Sequence, residues 1–133
     1  MVDYNLELLR TFGLHFFPEG WSIAEIGDLL AQDKGISVGV MYPGDNTPDG
    51  IPLIKAGDLK NNWVNPNPEF SISKEKHEEY RRTELLGGEL LVSLVGNAGQ
   101  TVVVPKEMCG WNVARAVAVL RLSEAVTPKY LQY

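Results

Sequence analysis

The chain has 133 residues, 44% of them apolar, which suffices for one compact core and is too little for two ordinary domains. Twelve Lys and Arg against 17 Asp and Glu leave a formal charge of −5, which opposes nonspecific adhesion to phosphate backbones. The most apolar run, residues 85–95, contains two glycines and a glutamate and falls far short of the ~20 residues that cross a bilayer. The N-terminus, with Asp3 and Glu7, lacks the basic-then-apolar layout of a signal peptide, so a cytoplasmic protein is expected. A lone Cys109 in a Met-Cys-Gly context reads as a reduced, packed side chain.

Residues 3–12 place Leu6, Leu9 and Phe12 at helical spacing, ended by Gly13, and Pro18 and Gly20 mark a loop. Ser22 and Glu25 have capping-box spacing but Gly27 weakens a helix, which leaves a short one near residues 26–32. From Gly35 to Gly50 the density of Gly, Pro and Asn predicts a long exposed loop, so that changes at its tip would cost within about 0.5 kcal/mol. Residues 51–55 read as a strand, Gly57-Asp58 as a turn, residues 60–63 as a polar connection, and Phe70 and Ile72 as another brief strand. Ser73 caps a helix from Lys74 to about Thr83 whose charges form a solvated face. Residues 89–95 and 101–104 are β-rich and joined through Gly96-Asn97-Ala98-Gly99 as a hairpin. Residues 115–122, apolar on nearly both faces, predict a central strand, and Thr127-Pro128 starts a helix as the sequence stops.

Catalytic and cofactor signals fail on chemistry. Residues 65–70, Asn-Pro-Asn-Pro-Glu-Phe, are similar in outline to the Asn-Pro-Pro-aromatic loop of amino-methyltransferases, but Asn67 splits the prolines and Glu69 displaces Phe70. No Gly-rich strand-to-helix turn for a methyl-donor cofactor is present. Gly96 to Gly99 lies between strands and cannot present a helix N-terminus to a phosphate. Asp45, Asp49 and Gly50 fit part of a calcium loop, with Ala56 where the bidentate glutamate should stand. His15 and His77 are far apart, and His77 is flanked by charges on a helix expected to be wet. No cofactor, metal or catalytic group is expected.

What remains is an ordered series of short motifs: Gly20-Trp21, Ile26-Gly27-Asp28-Leu29, Gly50-Ile51-Pro52-Leu53-Ile54-Lys55, Gly57-Asp58-Leu59, Leu86-Gly87-Gly88-Glu89-Leu90-Leu91, the Gly96–Gly99 hairpin, Asn112-Val113-Ala114-Arg115 and Pro128-Lys129-Tyr130-Leu131. In that order, over about 110 residues from Gly20, they resemble a target-recognition domain of the specificity subunit of type I restriction-modification systems. The family usually has Gly-Asp where this chain has Gly88-Glu89, and either carboxylate suits a turn cap. Specificity subunits commonly carry two such domains joined by spacer helices, so the chain reads as a fragment, a half-subunit or a degenerate copy. The resemblance implies an α/β (α+β) domain with a curved mixed β-sheet and short peripheral helices. It implies residues 20–133 as the recognition domain, ending at the start of a spacer helix, while residues 1–19 lie outside the resemblance and read, from their own apolar spacing, as an N-terminal helical extension. The implied partners are double-stranded DNA, the modification (methyltransferase) subunit and, through the complex, the restriction (endonuclease) subunit, with catalysis left to those subunits.

Base reading needs directional donors and acceptors on segments that enter a groove. The candidates are Ser37, Tyr42 and Asn46 in the long loop, Lys55 at a strand end, Lys60, Asn61 and Asn62 in the polar connection, and Asn97, Asn112 and Arg115 in the later turns. Arg115 has two readings, a guanine contact or a strand-end salt bridge, and Asn61 and Asn62 also suit a simple turn. Arg81 and Arg82 at a helix end favour the helix dipole. A rival is a non-catalytic protein-interaction module that binds modification subunits or itself without reading DNA. Convergence of Lys55, Lys60, Arg81, Arg82 and Arg115 on one face would favour DNA.

Overall fold

The computed structural model describes residues 25–31, 35–123 and 127–132. The helix expected over residues 3–12, the loop at Pro18–Gly20 and the Ser22 cap lie outside them.

Among the described residues, nine strands form three small sheets: β1 (Ile36–Val38), β2 (Ile51–Ile54), β3 (Leu59–Lys60), β4 (Trp63–Val64), β5 (Ser71–Ile72), β6 (Leu90–Ser93), β7 (Thr101–Val103), β8 (Asn112–Val113) and β9 (Val117–Leu120). The largest sheet is antiparallel in the order β1-β9-β6-β7; the second, β5-β2-β8, includes the parallel pair β2/β8; and β3 pairs with β4 alone. With helices α1 (Lys74–Glu79) and α2 (Pro128–Gln132) and several 3-10 turns at the periphery, the class is α+β. The mixed character is carried by the sheet β5-β2-β8, in which β2 pairs antiparallel with β5 and parallel with β8, while the other two sheets are antiparallel. Among the described residues no helix is long and apolar enough to cross a membrane.

The expected central strand is β9, and it is buried along its whole length. Val117 and Val119 enter the main core with Ile54, Leu85, Leu91, Val102 and Val113, while Ala118 and Leu120 face a second cluster with Leu90, flanked by Leu30 and Leu131. A strand covered on both faces must be apolar on both, which is why its alternation is weak in the sequence.

Three expectations need correction. Residues 35–50 are not one exposed loop: Ile36–Val38 pairs with β9 in the register Ile36↔Leu120, and Val40 bridges to Ala114 and is buried. The helix capped by Ser73, whose Oγ accepts from Lys76 N at 3.1 Å, ends at Glu79 and continues only as a 3-10 turn over Arg81–Thr83. Its face is not wholly wet, because His77 is buried. The two Gly-Asp-Leu motifs prove to be one device used twice. In the 3-10 turns Ile26–Leu29 and Ala56–Asp58, Asp28 accepts from Glu25 N at 3.2 Å and Asp58 from Lys55 N at 2.9 Å. Each aspartate satisfies an N–H that the turn itself leaves without a partner.

Candidate functional site

The ends of several strands meet at one edge, and main-chain hydrogen bonds define it. β1 runs antiparallel to β9 and its continuation passes the start of that strand, where Arg115 N donates to Val40 O at 2.9 Å. β6 reaches the same place from the other side, Leu94 N donating to Ala116 O at 2.8 Å. β2 arrives parallel to β8, so that Ala114 N donates to Ile54 O at 2.8 Å and Lys55 leaves the sheet there. The turn after β6 is braced by the buried Ser93, whose Oγ donates to Asn97 O at 2.8 Å and accepts from Gln100 N at 2.9 Å. Gln100 Oε1 in turn accepts from Asn61 N at 3.0 Å, which ties the β3–β4 hairpin to the row.

Seven of the ten predicted residues belong to this edge or its hairpin: Tyr42, Lys55, Lys60, Asn61, Asn62, Asn97 and Arg115. Asn61 and Asn62 are the two turn residues between Lys60 and Trp63, with φ of 48° and 65°. That left-handed pair is the geometry of a type I′ hairpin, which asparagine tolerates better than other side chains. Lys55 Nζ lies 4.3 Å from the Phe70 ring centroid. Lys55, Lys60 and Arg115 are exposed, and none is in an ion pair among the described residues, so the salt-bridge reading of Arg115 finds no support there. By contrast Lys76 pairs with Glu79, and Arg81 with Glu78 and Glu84, on or just after α1. Of the five basic residues, Lys55, Lys60, Arg82 and Arg115 are exposed and in no ion pair among the described residues, while Arg81 is neutralised at the end of α1.

The other three predicted residues do other work. Ser37 lies inside β1 with its Oγ buried and unpartnered, where no base can reach it. Asn46 is exposed, but its Oδ1 accepts from Ser71 N at 2.9 Å and so holds the loop against β5. Asn46→Ala should lower stability by about 1 kcal/mol, whereas Asn46→Asp, which keeps an acceptor, should lower it by less. Equal denaturant midpoints for wild type and Asn46→Ala would remove this anchoring role.

Asn112 is the clearest correction, with an exposure of 0%. Its Oδ1 accepts from Thr83 Oγ1 at 2.6 Å and Val113 N at 2.9 Å; its Nδ2 donates to Tyr80 O at 3.1 Å and lies 3.2 Å from His77 Nδ1. Because Val113 N can only donate, the amide orientation is fixed, and His77 Nδ1 must accept. The proton on Nε2 then points to Glu84 Oε1, 3.3 Å away. With every hydrogen-bonding position used inside the protein, Asn112 fastens the segment that carries Arg115 and has nothing left for a ligand.

The turn cap expected of Glu89 is present, its carboxylate accepting from Leu86 N at 2.7 Å and Gly87 N at 2.8 Å. The residues at 65–70 form a polar turn, with Asn65 Nδ2 donating to Asp58 Oδ1 and Asn67 N donating to Asn65 Oδ1. Sequence reasoning missed Ser93 and Gln100, and it missed Met41, Trp63, Leu94 and Val95, all exposed large apolar residues at this edge or its hairpin. For the last pair a signal existed: after Ser93 the apolar run that makes β6 resumes at Leu94 and Val95, up to Gly96.

No family model matches the chain. It is 34% identical over 113 residues, 85% of its length, to the type I restriction enzyme EcoBI specificity subunit of Escherichia coli. The chain spans 22% of that relative's length. A solved chain from work on complex assembly and conformational transition of the type I R-M system aligns with 93% of this chain and 31% of its own, at 17% identity and a TM-score of 0.48. Over those 113 residues, the chain is similar to part of a type I restriction enzyme specificity subunit.

Proposed function

We propose that this chain reads duplex DNA sequence as part of the specificity subunit of a type I restriction-modification complex, with residues 20–133 as the recognition domain. The observation that carries the reading is the 113-residue match to a specificity subunit. The strand-end edge supports it, because its exposed cations are in no ion pair among the described residues and share the edge and its hairpin with amide side chains, the groups that contact phosphates and base edges. On this reading the partners are double-stranded DNA and the modification subunit, with the restriction subunit joining through the complex. Methyl transfer and cleavage belong to those subunits. The helix begun by α2 would lead into a spacer. The charge of −5 fits a domain that reads bases locally while partners supply most phosphate neutralisation.

The test is to assemble the chain with modification subunits and select bound duplexes from a random pool. Arg115→Ala should relax preference at one base pair by about 1–3 kcal/mol while the thermal midpoint stays put, since the side chain is exposed and in no ion pair among the described residues. Lys55→Ala and Lys60→Ala should weaken all duplexes alike, each lowering the salt slope by about 0.9. If the wild-type assembly enriches no sequence, the reading fails and the interaction module without DNA recognition takes its place.

A further inference from the structure

The edge carries apolar surface as well as charge. Leu94 and Val95 follow β6 with exposures of 46% and 63%, and Met41 and Tyr42, at 46% and 70%, follow the bridge residue Val40. The hydrogen bonds of Ala116 O with Leu94 N and of Arg115 N with Val40 O put these two pairs on either side of Arg115. Four large apolar side chains exposed on the two segments that flank Arg115 are costly unless something covers them. Lys55, Lys60 and Arg115, exposed and in no ion pair among the described residues, select a polyanion as the cover rather than an apolar protein face. On a duplex, the apolar group available to side chains in the major groove is the C5-methyl of thymine.

We propose that Leu94 and Val95, opposite Met41 and Tyr42, are specificity-determining residues that read thymine methyl groups in base pairs next to the one Arg115 contacts. The inference rests on the DNA-reading function above and adds to it the base chemistry that the apolar residues select. An amide or guanidinium distinguishes bases by hydrogen bonding; this pair would distinguish thymine from cytosine by a methyl group.

The experiment uses the assembled complex and its own selected duplex, with single thymines replaced by deoxyuridine, which removes the methyl and leaves base pairing intact. At one or more positions the wild type should bind the deoxyuridine duplex about fourfold more weakly, the factor expected for one methyl-sized group lost from an apolar contact. Val95→Ala and Leu94→Ala should each bind the thymine duplex more weakly and lose part or all of that difference. Val95 is the more exposed of the two, so its variant carries the test if Leu94→Ala lowers stability. Ile36→Ala, on an exposed side chain at the other end of β1, should keep the full difference. Equal binding of thymine and deoxyuridine duplexes, a selected site without A·T pairs, or an unreduced difference in both edge variants overturns the inference while leaving sequence reading intact. Failure to enrich any sequence overturns both.

Discussion

Asn112→Ala is expected to destabilise the domain by about 3–5 kcal/mol, a large share of the 5–15 kcal/mol typical of whole domains. The substitution leaves a small void, but the void is the lesser loss. It removes one hydrogen-bond partner each from Thr83 Oγ1, Val113 N, Tyr80 O and the ring nitrogen of His77, of which Thr83 Oγ1 and Tyr80 O keep their 3.1 Å bond to each other. Each unmade hydrogen bond in such a site costs about 1–3 kcal/mol, less when several groups relax together. Thr83→Val removes only one of the four contacts to Asn112 and should cost roughly half as much. Denaturant unfolding of the two variants checks the ranking. Two midpoints that stay within about 0.5 kcal/mol of the wild type would mean that Asn112 is not the fastening it is taken for.

Gly39→Ala is expected to cost about 3 kcal/mol or more and to lower the thermal midpoint by roughly 10 °C. A Cβ at this position would lie 2.0 Å from Val113 O, 2.5 Å from Val113 C and 2.6 Å from Ala114 O. All three are backbone atoms of the corner between β8 and β9, so no side chain can swing aside. Relief requires β1 to lift away from that corner. This would break the Val40 N to Val113 O bond of 2.8 Å and the Arg115 N to Val40 O bond with it. The variant should therefore lose function as well as stability, unlike Arg115→Ala. A thermal scan that matches wild type would show that the corner can yield.

Elements governed by local signals were legible in the sequence. β2, the β6–β7 hairpin, β9, the Ser73 cap and the Thr127-Pro128 helix start each follow from apolar pattern or from a residue that satisfies its own neighbours. β1 was not legible, because three residues between Gly35 and Gly39 become a strand only by pairing with Leu120, Val119 and Ala118 far along the chain. The burial of His77 was hidden for a related reason: Lys74-Glu75-Lys76-His77-Glu78-Glu79 looks wet on every side until Asn112 and Glu84 are brought against it. The candidate site was legible as a set of residue types and not as a place. Seven of its members were named from loop chemistry, yet Asn112 and Arg115, three positions apart in one motif, have opposite roles. One is sealed in the interior and the other stands outside it. Only the path of the chain between them, through Val113 and Ala114, separates the buried position from the exposed one.

The edge is held largely by main-chain bonds, and on the proposed DNA-reading function that makes it a scaffold on which recognition could be rewritten. Arg115, Leu94 and Ala114 are located by their backbone N–H groups, so the side chains at 55, 94, 95, 97 and 115 are outer attachments to a fixed frame. A randomised library at those positions would explore new specificities with little penalty in folding. The hairpin tip would not join in so readily. Positions 61 and 62, at positive φ, admit mainly Asn, Gly and Asp, so diversity there is limited by backbone geometry before any ligand is involved. The alphabet available for retargeting this domain is therefore broad along the strand ends and only a few letters deep at the hairpin.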